Sequence, residues 1–181
     1  MKRNAVAVFH SALGLRPGLL QWVDCLRAAG HSVSSPDLYE GDVFDDAAGA
    51  IAKIQELGFD EILVRSRRAV ADLPHETAYI GFSNGGACAE QVAATRPGAL
   101  GVVLIGAPLP IRDLGWTAWP PGVPSRSISA KKTLGGTSVS YNNLLRAFAN
   151  PGQYLKNTST PLRCIISRTR VGLDMTRQQP H

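Results

Sequence analysis

Histidine and carboxylate run out early in this chain. Of four histidines in 181 residues only His181 lies beyond residue 75, and everything after Pro124 holds one acidic residue, Asp174. Proton-transfer chemistry in the second half therefore has few side chains to draw on. Cysteine is sparse as well. Cys25, Cys88 and Cys164 are odd in number and lack C-x-x-C spacing, which argues against a disulfide framework and against zinc, and leaves buried small hydrophobes as the expectation. No apolar run approaches the roughly 20 residues of a membrane span, so no membrane partner is expected. Met1-Lys2-Arg3-Asn4 passes straight into Ala5-Val6-Ala7-Val8-Phe9, so no secretory leader is expected and the cytoplasm is the expected location.

The net charge of +5 suggests an anionic partner until it is divided along the chain. Residues 1–124 carry 10 Lys+Arg and 13 Asp+Glu, a balance of −3, whereas residues 125–181 carry 9 and 1, a balance of +8. The basicity belongs to the tail. That tail lacks interleaved aromatics and dense Lys/Arg clusters, so no nucleic-acid partner is expected.

Short apolar runs alternate with amphipathic stretches through residues 1–124, which predicts an α/β fold with a parallel sheet and crossover helices. Ala5 to Phe9 reads as a strand, and Pro17 opens a helix with Leu19, Leu20, Val23 and Leu26 on one face and Gly30 as its stop. Val33 to Asp37 reads as a second strand. Ile51, Ile54 and Leu57 predict a helix ended by Gly58, and Ile62, Leu63, Ala69 and Val70 another that ends near Pro74. Beyond Pro124 the alternation fails. Residues 125–181 read as a basic, irregular tail with one helix-like patch, Leu144 to Phe148, so the fold is expected to be incomplete at its C-terminus.

The stretch that names a chemistry is Gly81-Phe82-Ser83-Asn84-Gly85-Gly86, between an apolar run and the helix-forming Ala87 to Ala94. This is the G-x-S-x-G nucleophile elbow, a sharp strand-to-helix turn that exposes a serine hydroxyl. Side chains two residues either side of Ser83 would collide, so Gly81 and Gly85 are required. At the helix N-terminus the Asn84 N–H and the helix dipole can stabilise an oxyanion. A phosphate cradle is the weaker reading, and the absence of a lysine after the glycines argues against a nucleotide site.

Four segments, in order and spacing, resemble the dienelactone hydrolase family of α/β-hydrolases: Phe9-His10-Ser11-Ala12-Leu13-Gly14, Ser35-Pro36-Asp37-Leu38-Tyr39-Glu40-Gly41, Gly81 to Gly86, and Thr95-Arg96-Pro97-Gly98. The resemblance implies hydrolysis of a small-molecule ester or lactone through an acyl-enzyme, with no metal and no cofactor. Ser83 is the implied nucleophile, where the family often has cysteine. The N–H of Asn84 and one near Ala12 or Leu13 form the implied oxyanion hole. Ser11 stands where the family often carries a glutamate.

The rest of the triad is harder to place. After Ser83 the carboxylates are Glu90, Asp113 and Asp174, and the histidine is His181. None stands where the order nucleophile, acid, histidine requires. His10, His31 and His75 have structural explanations and are not assigned as the base. Read from the third base of each codon, Lys131 to Gly135 can encode a Glu-Asp-Pro-Trp-like string within codon degeneracy. The same frame can give Tyr-Glu-Tyr-Pro from Asn157 to Pro161 and His-His-Phe from Cys164 to Ser167. Both resemble the family's acid and histidine segments in a common frame, so a frameshifted ending from about Ser125 is expected, with a diverged but genuine C-terminus as the alternative. Two functions follow: a serine esterase or lactonase, weak or inactive as written, and a non-catalytic relic or small-ligand binding protein that keeps the pocket. Arg65-Ser66-Arg67-Arg68 is expected on a solvated helix face, with one arginine facing a substrate carboxylate as the alternative, and Asp42, Asp45 and Asp46 in an exposed loop and helix start rather than around a cation.

Overall fold

The computed structural model of the protein describes residues 4–106, 110–128, 131–133 and 136–138. Its elements alternate: β1 (Ala5–Phe9), α1 (Pro17–Ala28), β2 (Ser32–Ser34), α2 (Ala47–Leu57), α3 (Phe59–Ala69), β3 (Thr77–Phe82), α4 (Gly85–Thr95), β4 (Gly101–Ile105) and β5 (Ser125–Ile128). The five strands form one parallel sheet in the order β2-β1-β3-β4-β5. The chain therefore steps outward from β1 to β2, crosses back over β1 to β3, and continues outward through β4 and β5. That reversal between β1 and β3 is where ligands bind in open α/β sheets, outside the carboxyl ends of the strands.

Both faces of the sheet are covered, which is why its central strands are apolar throughout. Val6, Val8, Ile80, Val103 and Ile105 pack with Leu19 and Val23 of α1. Ala7, Phe9, Tyr79, Val102 and Leu104 face the other way, against Ile62 and Leu63 of α3 and Ala87, Cys88 and Val92 of α4. The strand period of two assigns these residues alternately to the two layers. The helix boundaries have local causes. Pro17 occupies the first turn of α1, Asp46 caps α2 by accepting from Gly49 N at 2.8 Å, and Gly58 at φ +79° separates α2 from α3. Among the described residues no helix is long and apolar enough to cross a membrane.

The structure departs from the sequence expectation at three places. The strand expected over Val33 to Asp37 is only Ser32–Ser34, because Asp37 turns the chain by accepting from Tyr39 N at 2.9 Å and Gly41 N at 2.7 Å. β5 extends the sheet four residues past the expected core end at 124. Its Ser125 and Ser127 are exposed, in contrast to the buried apolar residues of β4. Arg65-Ser66-Arg67-Arg68 is not wholly solvated: Ser66 is fully buried and donates to Leu63 O at 2.8 Å, whereas Arg67 and Arg68 are exposed. Of the remaining tail, a short hairpin pairs Lys131–Thr133 with Gly136–Ser138. The patch Leu144 to Phe148, Cys164, Asp174 and His181 lie outside the described residues.

Thr95-Arg96-Pro97-Gly98 has a structural explanation. Arg96, just past α4, donates from its guanidinium to the carbonyls of Val70, Ala71 and Leu73 at the end of α3. These carbonyls follow the last turn of α3, and Val70 O also accepts from Leu73 N at 3.1 Å, so one planar fork closes the end of α3 and ties it to α4. Arg96→Ala is expected to lower stability by about 2 kcal/mol, with Arg96→Lys failing to restore it, as read from urea denaturation followed by circular dichroism. Gly85→Ala tests the neighbouring contact. Its Cβ would lie 2.3 Å from the His10 carbonyl oxygen and 2.7 Å from that of Phe9. The gain of about 1 kcal/mol in helix propensity loses to that backbone overlap, so a net destabilisation of about 2 kcal/mol or more is expected in the same assay.

Candidate active site

Ser83 stands at the carboxyl end of β3, where strand becomes helix, and its side chain is exposed. Its φ of +49° is in the left-handed region, a conformation that costs a serine about 1–3 kcal/mol and that surrounding contacts must hold. Ser83 N donates to Ile105 O at 2.7 Å, pinning the elbow to the end of β4, and Ser83 O accepts from Gly86 N at 2.8 Å, closing the first turn of α4. A Cβ on Gly81 would lie 2.2 Å from Gly85 O, so the strand and the helix it feeds fit only with glycine there. The sequence expectation for Gly81 and Gly85 rests on the same collision.

The register of β1 against β3 pairs Phe9 with Gly81, so the loop after β1 leaves beside Ser83. Ala12 and Leu13 are in this loop and half-buried. The Leu13 N–H makes a long bond of 3.3 Å to Ser11 Oγ, and Leu13 O accepts from Phe44 N at 3.0 Å. Gly14, at φ +84°, sits so close to Asp42 that a Cβ would lie 2.4 Å from its carbonyl oxygen. The loop is thus braced from behind by the Asp42–Phe44 segment. On the other side the Asn84 backbone heads α4, with helical φ and ψ. Two elements converge on the elbow, each bringing backbone N–H groups.

His10 is a residue whose role the sequence left as merely structural, and the structure gives that role definition. It is 2% exposed. Nδ1 lies 2.8 Å from Ser11 O, which only accepts, and Nε2 lies 3.0 Å from Leu38 N, which only donates. These partners require the neutral Nδ1–H tautomer. Burial lowers the ring's pKa from its ordinary value, against smaller opposing effects from the Ser11 carbonyl and Asp37. His10 therefore has no nitrogen left to serve Ser83. His31 and His75 precede β2 and β3, at the opposite edge of a parallel sheet, so His75 is roughly 20 Å or more from Ser83 at about 3.3 Å per strand residue.

The loop after β2 is as rigid as the one after β1. Asp37 holds its turn, Leu38 N bonds His10, and Leu38 O accepts from Arg65 at 3.1 Å. Arg65 also pairs with Glu40 at 2.9 Å and Glu61 at 3.1 Å. It is a structural clamp on Ser35 to Gly41, not a free cation awaiting a substrate carboxylate. Tyr39 is buried, stacked edge-on against His10 with ring centroids 4.7 Å apart, and burial raises its hydroxyl pKa while the Asn84 side chain opposes the shift. The motif's signal in the sequence was its length; its purpose needed the fold.

The other polar candidates are placed as follows. Asp42 pairs with Lys53 at 2.8 Å, Asp45 with Arg16 at 2.9 Å, and Asp46 caps α2, so the three acids do not converge. Among the described residues no group of acids, histidines and cysteines is arranged to hold a metal. Cys88 is free and buried beneath the elbow, and desolvation pushes its thiol up to about 12, leaving it inert as a nucleophile. Cys25, buried on α1, is disulfide-bonded, so the expectation of a free small hydrophobe fails there. Glu90 is buried along α4, and Asp113 is exposed in a 3-10 turn after β4, beside Arg112.

Comparison with known proteins places this geometry. The model of the dienelactone hydrolase family matches residues 1–109. No curated protein matches the chain. Among solved structures, a candidate dienelactone hydrolase from Klebsiella pneumoniae is 14% identical over 93% of this chain and 86% of its own, with a TM-score of 0.50. A candidate hydrolase of the α/β superfamily from Xanthomonas campestris is 19% identical over 71% of this chain and 72% of its own, with a TM-score of 0.46. A protein named m3DLH is 22% identical over 71% of this chain, with a TM-score of 0.47, and the chain spans only 57% of its length. The family match takes in the β1 loop, the β2 loop, the elbow and β4, and the chain belongs to the dienelactone hydrolase family.

Proposed function

We propose that this chain carries the nucleophile half of an ester or lactone hydrolase, with Ser83 attacking the carbonyl of a neutral small molecule. The observation that carries the proposal is the exposed Ser83 held at φ +49° at the head of α4. Ser83 Oγ adds to the carbonyl carbon and the carbonyl oxygen becomes an oxyanion. The N–H of Asn84 and an N–H of the Ala12–Leu13 segment receive it, Leu13 by exchanging its long bond to Ser11 Oγ for the stronger one to an anion. The alkoxide leaves with a proton, an acyl-serine remains, and water releases the acid. Catalysis uses no nucleic acid and no membrane.

The reaction also needs a base for the Ser83 proton, and His10 is committed to backbone partners on both nitrogens. That favours a second reading, in which the chain binds such ligands without turning them over. Exposed Ser125 and Ser127 on β5 fit poorly with a strand inside an α/β sheet, in line with a tail translated in a shifted frame from about Ser125. A serine triad without its base loses on the order of 10⁶ in turnover, so weak activity is the expectation for the chain as written.

Purified protein is expected to hydrolyse p-nitrophenyl acetate slowly. A chain with the frame shifted near codon 125 is expected to be faster by on the order of 10³ or more, and Ser83→Ala to remove that gain. Rates are compared at equal concentration, with folding checked by circular dichroism. Rapid turnover by the present chain that survives Ser83→Ala would overturn the assignment of the nucleophile. A shifted-frame chain that folds and stays slow would favour the binding reading.

A further inference from the structure

The oxyanion donors of the β1 loop are backbone groups, and a backbone group is only as well placed as the loop that carries it. One buried side chain ties that loop to its neighbour. His10 ends β1, its carbonyl oxygen abuts Gly85 in the first turn of α4, and its ring bridges two different loops, to Ser11 O at 2.8 Å and to Leu38 N at 3.0 Å. The same loop carries Ala12 and Leu13 one and two residues beyond Ser11. Tyr39 closes over the ring edge-on, with centroids 4.7 Å apart. We propose that His10 is a positioning residue for the oxyanion site: its neutral ring locks the β1 loop to the β2 loop, and protonating Nε2 unlocks the Ala12–Leu13 segment. This inference rests on the hydrolase reading of Ser83.

The chemistry of the switch follows from the partners. A proton added at Nε2 turns an acceptor into a donor that faces the Leu38 N–H, so that hydrogen bond is lost. The nearest carboxylate, Asp37 Oδ1, lies 4.0 Å from Nε2 and becomes the new acceptor, drawing the ring and Ser11 with it. Asp37 is itself held by Tyr39 N and Gly41 N. Tyr39 is a buried neutral phenol, Arg65 on α3 reaches Leu38 O while paired with Glu40 and Glu61, and the first turn of α4 presents Asn84, Gly85 and Gly86, with the neutral Cys88 thiol a turn further in. Because burial lowers the folded-state pKa of His10, the native state resists a proton that the unfolded chain accepts. The stability this contributes is full above 6.5 and is lost as pH falls through the folded pKa.

The test uses three variants and two readouts. His10→Gln keeps an acceptor for Leu38 N–H and cannot titrate, His10→Asn keeps a donor for Ser11 O, and His10→Leu keeps neither. With p-nitrophenyl acetate, His10→Leu is expected to lower kcat about tenfold or more with KM within about twofold, since oxyanion donors act in the transition state. The wild-type rate is expected to fall below pH 6.5 with a midpoint matching the His10 ring in NMR titration. His10→Gln is expected to keep most of the rate at pH 7.5 and to lose that acid limb. An unchanged kcat in folded His10→Leu, or an acid limb that persists in His10→Gln, would overturn the proposal. If the chain as written shows no Ser83-dependent turnover, the kinetic readouts move to the shifted-frame chain, whose failure to turn over would count against the hydrolase reading, and NMR alone decides the positioning role. The Nδ1–H tautomer at pH 7.5, with Leu13 and Leu38 amide shifts that titrate together with the ring, supports it, and any other tautomer or uncoupled amides refute it.

Discussion

No side chain fits between the first turn of α4 and the ends of β1 and β3, and the rest of the structure depends on that closeness. A Cβ at Gly81 would strike Gly85 O and one at Gly85 would strike His10 O, both well inside van der Waals contact. Because glycine stands at both places, α4 starts hard against the sheet. Ser83 is then forced to positive φ and outward, and the loop after β1 is brought beside the helix N-terminus. The strain at Ser83 is held by hydrogen bonds to Ile105 and Gly86, which is how a local cost of about 1–3 kcal/mol persists in a folded chain.

Around this contact the fold invests in rigidity rather than in charge. The β1 loop is tied to the β2 loop by His10, the β2 loop to α3 by Arg65, and α3 to α4 by Arg96. Each link ends on backbone, so it fixes chain geometry more than side-chain position. Loops at a carboxyl strand edge are otherwise the most mobile parts of such folds. Here they form a braced rim around Ser83. That arrangement suits chemistry done by backbone N–H groups, which need placement and no proton of their own.

The same accounting explains why the candidate site reads as half complete. The proposed nucleophile, its turn and the proposed oxyanion donors come from residues before 110, within the family match. The acid and base of a serine triad come from later in the chain, where one histidine and one carboxylate follow Asp113. The three histidines among the described residues are accounted for by topology: His10 is consumed by two loops, and His31 and His75 lie at the far edge of a parallel sheet.

The α/β order, the parallel sheet and the elbow were legible in the sequence because they rest on local rules: apolar runs of strand length, Pro17 and Gly58 at helix ends, and glycines two residues either side of Ser83. Those rules act within a few residues, so one chain suffices to read them. What His10, Arg65 and Arg96 do was not legible. Each acts on backbone carbonyls or amides 23 to 28 residues away, and such a partner has no side-chain signature in the sequence. Ser66, read as solvated by the company of three arginines, is buried because its face of α3, not its neighbours in sequence, meets α4. Composition and turn chemistry determined the elements and the strand-to-helix turn that exposes Ser83. Only the tertiary structure, by bringing three loops to one sheet edge, decided which polar residues tie those loops together around Ser83 and that His10 is committed to two of their backbone groups.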